Sequence, residues 1–414
     1  MIIEDIITQH AEEASFLWFL RSLAVYAPHY SLVDLAELDN RVEAHLDGLR
    51  IAADSGWNVC KGALAQEGPG EVFAAATIAF GNGNEDRVEI VLEAAGSDLE
   101  ISNGIVSAIG WLPYEQIGNH IIALLESKDA DLRRIGIAAC AVHRKDPGKA
   151  LIDALNDNNL SLKARALRAA GELGRTELLP MLKEQLAGED KVCRFWAGWS
   201  AVLLGDRGDA LELLKAVAVS GSPFRDRSLQ LALRAMDNTG AQKWLKDQAR
   251  HPDSLRYAVI GAGVIGDPVY IPWLIEQMEM PDHARVAGEA FTMITGVDIA
   301  YEDLDGEWPE GFEAGPSESP EDEDVEMDQD EDLSWPEPKL IAEWWNKNKG
   351  SFQDGTRYLL GKPISPEHLQ HVLRHGFQRQ RAAAAIELAI MNPGQPLFET
   401  RAPGFRQQQI LGLK

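Results

Sequence analysis

The residues of this 414-residue chain best placed to do chemistry are three glycines, three histidines and three cysteines. Gly261-Ala262-Gly263-Val264-Ile265-Gly266 spells G-x-G-x-x-G, which in a dinucleotide site brings backbone N–H groups up to a pyrophosphate. That chemistry needs a buried strand before the glycines and a helix opening after them. Here the helical pattern starts upstream, at Pro252-Asp253-x-x-Arg256, so the glycines fall late in a helix and Gly266 at its end. No cofactor is expected. By helix propensity alone, Ala at position 263 would stabilise by up to about 1 kcal/mol. His368, His371 and His375 share one face of a short helix opened by Ser365-Pro366 and closed by Gly376. Imidazoles so placed could take zinc or nickel, but a closed site needs about four ligands and no Cys-x-x-Cys stands alongside. A solvated histidine stripe is expected, and no metal. Cys60, Cys140 and Cys193 sit in apolar helical patterns without metal or disulfide spacing, as buried free thiols would. Neither a Gly-x-Ser-x-Gly elbow nor a Walker A pattern is present, and no Ser-His-Asp or paired-carboxylate motif stands out, so no catalytic residue is assigned.

The charged residues are more informative. The net charge is −26, and sixteen Asp and Glu, with no Lys or Arg, lie between Glu302 and Asp332. The densest part holds Glu321, Asp322, Glu323, Asp324, Glu326, Asp328, Asp330, Glu331 and Asp332. Like charges so crowded resist collapse, so 301–338 is expected to be an acidic disordered loop whose removal spares the fold. These carboxylates are also candidates to contact a basic protein partner by electrostatic steering. Nucleic acid is excluded as a partner, because no clustered basic surface is available for phosphates.

The elements follow from a repeat. His251-Pro-Asp-Ser-Leu-Arg-Tyr-Ala258 and Met280-Pro-Asp-His-Ala-Arg-Val-Ala287 share Pro-Asp-x-x-Arg-x-Ala. Related helices carry Arg134, Arg165, Arg194, Arg227, Arg256 and Arg285, spaced 29 to 33 residues apart. Glycines that end helices follow at Gly174, Gly205, Gly266 and Gly296, with Gly81 and Gly110 in two earlier copies lacking the arginine. Asp131, Asp253 and Asp282 are read as N-caps and as partners of the arginines three residues on, which gives the arginine series a structural role. Amphipathic segments at 150–157, 177–188, 210–219 and 270–278 supply the other helix of each pair. Ala- and Gly-rich second helices allow close approach. Trp196 and Trp199 belong to a core face, and Trp344 and Trp345 anchor their helix.

A period near 30 with two helices per unit resembles HEAT repeats of the short bacterial kind. The flanking stretches at 12–57, TRYLLGKP (356–363), RQRAAAAIELA (379–389) and PLFETRAPGFRQQ (396–408) are similar to one uncharacterised bacterial family of HEAT-repeat proteins. That resemblance implies a link to type VI secretion, with members encoded near spike-tip proteins, and it implies no catalytic residue. The fold class expected is all-α, a HEAT-like α-solenoid of helix pairs with helical caps at both ends. Its segments are an N-terminal cap (1–58), the array (59–300), the acidic loop (301–338) and a C-terminal cap (339–414). The function expected is a non-enzymatic protein-binding scaffold, an adaptor, chaperone or immunity-type protein for a secreted effector or spike-tip protein. The alternative is an enzyme on the same fold, resembling the HEAT-repeat bilin lyases. With four acidic and no basic residues in its first twenty, and no long apolar run, the chain reads as cytoplasmic with no membrane partner.

Overall fold

The computed structural model describes residues 3–312, 314–315 and 327–413. Twenty-two α-helices account for most of them, and the strands are a two-residue pair, β1 (Tyr358–Leu359) and β2 (Lys362–Pro363), antiparallel with Tyr358 opposite Pro363. No helix among the described residues is long and apolar enough to cross a membrane. The chain forms two compact units, residues 1–213 with 374–414, and residues 214–373. The C-terminal stretch 339–414 is therefore divided between them instead of forming one cap.

The first unit opens with α1 (Glu4–Ala24), α2 (Leu32–Ile51) and α3 (Asp54–Ala63). Repeat helices follow as α4 (Pro69–Asn82), α5 (Glu85–Ala95), α6 (Leu99–Trp111), α7 (Tyr114–Leu125) and α8 (Ala130–Val142). They continue as α9 (Lys149–Leu155), α10 (Leu160–Glu172), α11 (Leu179–Glu184), α12 (Lys191–Leu203) and α13 (Asp209–Val217), the last running across the unit boundary. The second unit contains α14 (Arg225–Ala235), α15 (Asn238–Gln248), α16 (Pro252–Ile265), α17 (Ile271–Met278), α18 (Pro281–Thr295), α19 (Pro338–Asn348) and most of α20 (Pro366–His375). The chain then returns to the first unit with α21 (Gln378–Met391) and α22 (Gly404–Ile410).

Second helices pack on second helices, α4–α6–α8–α10–α12 in one unit and α14–α16–α18 in the other, with a first helix alongside α6, α8, α10, α12, α16 and α18. This is all-α solenoid packing, as the period implied. The close approach rests on small residues. A side chain at Gly104 would strike the Pro69 carbonyl, one at Gly171 would lie 2.8 Å from the Ser200 Cα, and one at Gly263 would lie 2.8 Å from the Ala290 Cα. Trp196 and Trp199 are buried, their rings edge to face at 5.5 Å, and the small residues Ala197, Gly198, Ser200 and Ala201 are buried on the opposite side.

Local expectations need three corrections. The observed N-caps include Asp98, Asp129, Asn159, Asp190 and Asp237, each with its side chain accepting a first-turn N–H. Asp253 and Asp282 are two steps too late, because Pro252 and Pro281 occupy the first helical position after His251 and Met280, and Asp131 likewise follows its cap, Asp129, by two. Their carboxylates still face the positive helix ends. Gly174, Gly205, Gly266 and Gly296 do end their helices with positive φ, whereas Gly81 and Gly110 lie inside α4 and α6. Gly83 (φ 70°) closes α4, and Pro113 stops the helix at Trp111 by restricting Leu112.

Two returning segments close the open ends of the second helices. In the first unit the Leu397 N–H donates to the Glu172 carbonyl at 3.0 Å, and Arg406 donates to the Gly110 and Val142 carbonyls at 2.8 and 3.4 Å. In the second, Arg357 donates to Ile265 and Arg234 carbonyls at 3.0 and 3.4 Å, while the Tyr358 N–H donates to Gly266 and the Leu360 N–H to Met293. Gly174 and Gly266 meet these segments backbone to backbone, which no larger residue would permit.

Position 263 separates helix propensity from packing. Gly263→Ala should lower stability by about 1–2 kcal/mol, the overpacking cost against Ala290 exceeding the propensity gain. Urea unfolding checks this, and an unchanged or raised midpoint would contradict the close helix contact.

Candidate functional site

A cleft of the first unit has a volume of about 900 Å³ and is built where three helix ends meet α22. Glu43, Leu49 and Arg50 come from α2, Thr77, Ile78, Gly81 and Asn82 from α4, and Arg87 from α5. The Trp111–Gln116 turn, His143, Lys145, Phe405, Arg406, Gln409 and Ile410 complete it. Its aromatic wall is held at fixed angles. The Trp111 indole donates to Glu43 Oε2 at 2.5 Å, Phe405 meets Trp111 edge-on at 5.7 Å, and Tyr114 meets His143 at 5.4 Å. Lys145 is exposed and lies 5.3 Å over the Tyr114 ring. Four cations line the cleft (Arg50, Arg87, Lys145 and Arg406) against two carboxylates (Glu43 and Glu115). Of these, Arg50 pairs with Glu43 at 2.6 Å and Asp47 at 2.7 Å, and Arg87 with Asp54 at 2.5 Å. Such a size and lining suit a segment carrying apolar and acidic groups.

Burial holds the three thiols and His143 in their neutral forms. Burial pushes the Cys60 and Cys193 thiols up to about 12 and Cys140 to about 11, so at neutral pH none is a thiolate. His143 accepts from Arg406 at Nδ1 (3.2 Å), which leaves Nε2–H to donate to the Ile109 carbonyl (2.9 Å). Burial, then the Arg406 charge, lowers its pKa to about 4. Both ring nitrogens are thus occupied in a neutral imidazole.

The C-terminal segment that forms one cleft wall is fixed by buried ion pairs. Arg21 reaches Asp39 at 2.7 Å and donates to the Arg401 and Ala402 carbonyls, while Asp39 accepts from the Gly404 N–H. Glu399 joins Arg144 (3.0 Å) and Arg401 (2.9 Å). Burial works against its ionised form, but Arg401 and Arg144 outweigh it and hold the carboxyl well below the usual range. Glu172 is likewise buried and is drawn down to about 2 by Arg168, Arg165 and Arg144. Sequence reasoning did not single out Arg144, Arg357, Glu399 or Arg406, although the last three lie inside the flanking motifs.

The sequence-identified arginines and carboxylates come together in an unexpected pairing. Arg134 follows the simple scheme, 3.7 Å from Asp131 and donating to Ser102 Oγ at 2.8 Å. Arg165 pairs with Glu172 at 3.0 Å. The Arg194 Nε is buried with no hydrogen-bond partner among the described residues. Arg227 lies in the first turn of α14. Arg256 and Arg285 direct their forks at the acidic insert instead of at Asp253 and Asp282. Arg256 binds Asp330 at 2.8 and 2.6 Å, and Arg285 binds Asp328 at 2.6 and 2.9 Å. Arg285 also lies 5.0 Å from the Trp308 ring and 5.5 Å from Trp335. The described ends of the insert are therefore ordered parts of the second unit. A bidentate fork and two aromatic faces stabilise a guanidinium that the helix-start aspartates do not reach. Glu331 and Asp332 are exposed, while Glu321, Asp322, Glu323, Asp324 and Glu326 lie outside the described residues. The His368 Nε2–H donates to the Leu359 carbonyl (2.6 Å), and its ring lies 6.4 Å from that of His371. Gly261, Gly263 and Gly266 lie late in and at the end of α16.

A family model of HEAT repeats matches residues 148–234. Over that span, α9 to α14, the chain is similar to HEAT repeats. No curated protein matches the chain.

Two expectations follow. Asp328→Asn leaves Arg285, only 4 % exposed, without its counter-ion, and should destabilise the second unit by about 3–5 kcal/mol; calorimetry showing no loss would return the insert to a solvated loop. Below pH 6.5 an unfolded chain takes up the His143 proton that the folded chain refuses until about 4, so stability falls as pH drops through that window. His143→Gln should flatten this part of the stability–pH curve relative to the parent, and parallel curves would show that the ring is not held neutral.

Proposed function

We propose that the chain is a non-enzymatic protein-binding scaffold, an adaptor, chaperone or immunity-type protein for a type VI secretion effector or spike-tip protein. The observation that carries the binding role is the cleft at the helix ends of the first unit. It sets an aromatic wall and four cations on rigid helix termini drawn from distant parts of the chain. Helical repeat arrays of this kind commonly serve protein interaction, because stacked units present a continuous surface for a large ligand. The secretion link rests on the resemblance of the flanking stretches to a bacterial family. The protonated thiols and the doubly bonded His143 favour a binding role over a covalent one.

Affinity capture with the tagged full chain from its native host, followed by mass spectrometry, tests the reading. A secreted protein or its spike-tip carrier should co-purify in stoichiometric amount. Tyr114→Ala with Lys145→Glu should weaken that complex at least tenfold, since central aromatic and cationic contacts typically carry 2 kcal/mol or more. A bound pigment or small cofactor in place of protein would favour the lyase-like alternative. A stoichiometric partner indifferent to both substitutions would move binding away from the cleft.

A further inference from the structure

Arg194 departs from its own series. Arg134, Arg165, Arg256 and Arg285 each bring a terminal guanidinium nitrogen to a carboxylate or hydroxyl oxygen. Arg194, near the start of α12, forms no hydrogen bond and no ion pair among the described residues. Its Nε is buried without an acceptor, although the residue keeps part of its surface in solvent. Lys191 stands three residues earlier on the same face of the helix and forms no ion pair either. Like charges so spaced repel unless an anion joins them. Two carboxylates lie on the preceding loop. Asp190 is committed to the N-cap, accepting the Cys193 N–H at 2.7 Å, and Glu189 is exposed; neither pairs with Arg194. The Cys193 thiol donates to the Leu160 carbonyl at 3.5 Å, which sets the start of α10 beside that of α12. There Leu160 and Val192 are 51 and 41 % exposed, and Lys163 adds a cation without an ion pair among the described residues.

The second unit shows what satisfies an arginine of this series from outside its helix pair. At the corresponding place in α16 and α18, Arg256 and Arg285 are each held by two hydrogen bonds from one carboxylate, Asp330 and Asp328. Both carboxylates belong to one short acidic stretch, Asp328-Gln329-Asp330, laid across two neighbouring helices. A planar guanidinium and a carboxylate match in this way whichever chain supplies the carboxylate. We propose that the start of α12 docks an acidic segment of a protein partner, one carboxylate of which takes the Arg194 fork and lies beside Lys191. Apolar side chains flanking that carboxylate would cover Leu160 and Val192, and Lys163 adds charge at the edge. Arginine-led capture of acidic segments is a recurring mode of peptide recognition. The surface goes beyond the proposed function, because it uses the N-terminal ends of second helices, whereas the cleft is built around C-terminal ones.

A fluorescent peptide copying Met-Asp-Gln-Asp-Glu-Asp-Leu (327–333) serves as the probe, titrated with the full chain at low salt and followed by anisotropy. In the full chain Arg256 and Arg285 already hold their own copy of this stretch, so Arg194 is the open member of the two units. Saturable binding is expected with a dissociation constant of about 100 µM or tighter, weakening as salt rises. Arg194→Ala should weaken it about tenfold or more, and Arg194→Lys should recover only part, because an ammonium cannot form the fork. Glu189→Gln should tighten it, and a peptide with Asn in place of every Asp should not bind. The melting temperature of Arg194→Ala should match the parent, which an arginine serving the fold would not allow. Tyr114→Ala with Lys145→Glu should leave the affinity unchanged, so this test and that of the cleft fail separately. No binding at about 1 mM peptide overturns the proposal. So does binding indifferent to Arg194→Ala, binding lost with the cleft substitutions, or a lowered melting temperature in Arg194→Ala.

Discussion

The carbonyl groups left open at the C-terminal ends of the second helices are the constraint on which this structure turns. Each such end exposes several acceptors without intrahelical donors, and the aligned peptide dipoles make it negative. Glycine in the left-handed region satisfies part of the requirement. The rest is supplied from elsewhere in the sequence by Arg357 and Arg406, each donating to two successive helix ends, and by backbone N–H groups at 358, 360 and 397. A repeat array that could have been held only by neighbour-to-neighbour packing is thereby tied by long-range contacts within each unit.

The same segments that close the helix ends also create the cleft. Phe405 and Arg406 form its wall because Gly404 lies against Ala36, where a side chain would come within 2.6 Å of the Cα, and because Asp39 accepts the Gly404 N–H. Buried ion pairs contribute positioning here more than stability, since removing two charges from water offsets much of their attraction. Arg21 and Asp39 are satisfied only when the strand of chain at 401–404 is in place, so they fix one arrangement of the cleft wall.

Charge has two roles in this acidic protein. Much of it is solvated, but Asp328 and Asp330 act as ligands for Arg285 and Arg256, with Trp308 and Trp335 closing over the first of these. A carboxylate-rich stretch that composition alone assigns to solvent thus supplies counter-ions to the repeat. The Arg285 guanidinium is nearly inaccessible, and such a charge is stable only when paired.

By itself the sequence determined the helix pairs, their period, the four terminal glycines and the burial of Trp196 and Trp199, because these depend on local periodicity and on the conformational freedom of glycine. It also placed Gly261, Gly263 and Gly266 late in a helix and at its end, which is a local property. Tertiary structure decided what lies far apart in the chain: that Glu399 meets Arg144, that Arg406 reaches Gly110 and Val142, and that Arg285 takes Asp328 in preference to Asp282. It also decided the fate of Gly263, whose helix propensity favours alanine while Ala290 leaves no room for it. Periodicity records which face of a helix is apolar. It carries no record of which distant segment will cover that face or neutralise its charges, because that choice is made by packing and desolvation once the helices meet.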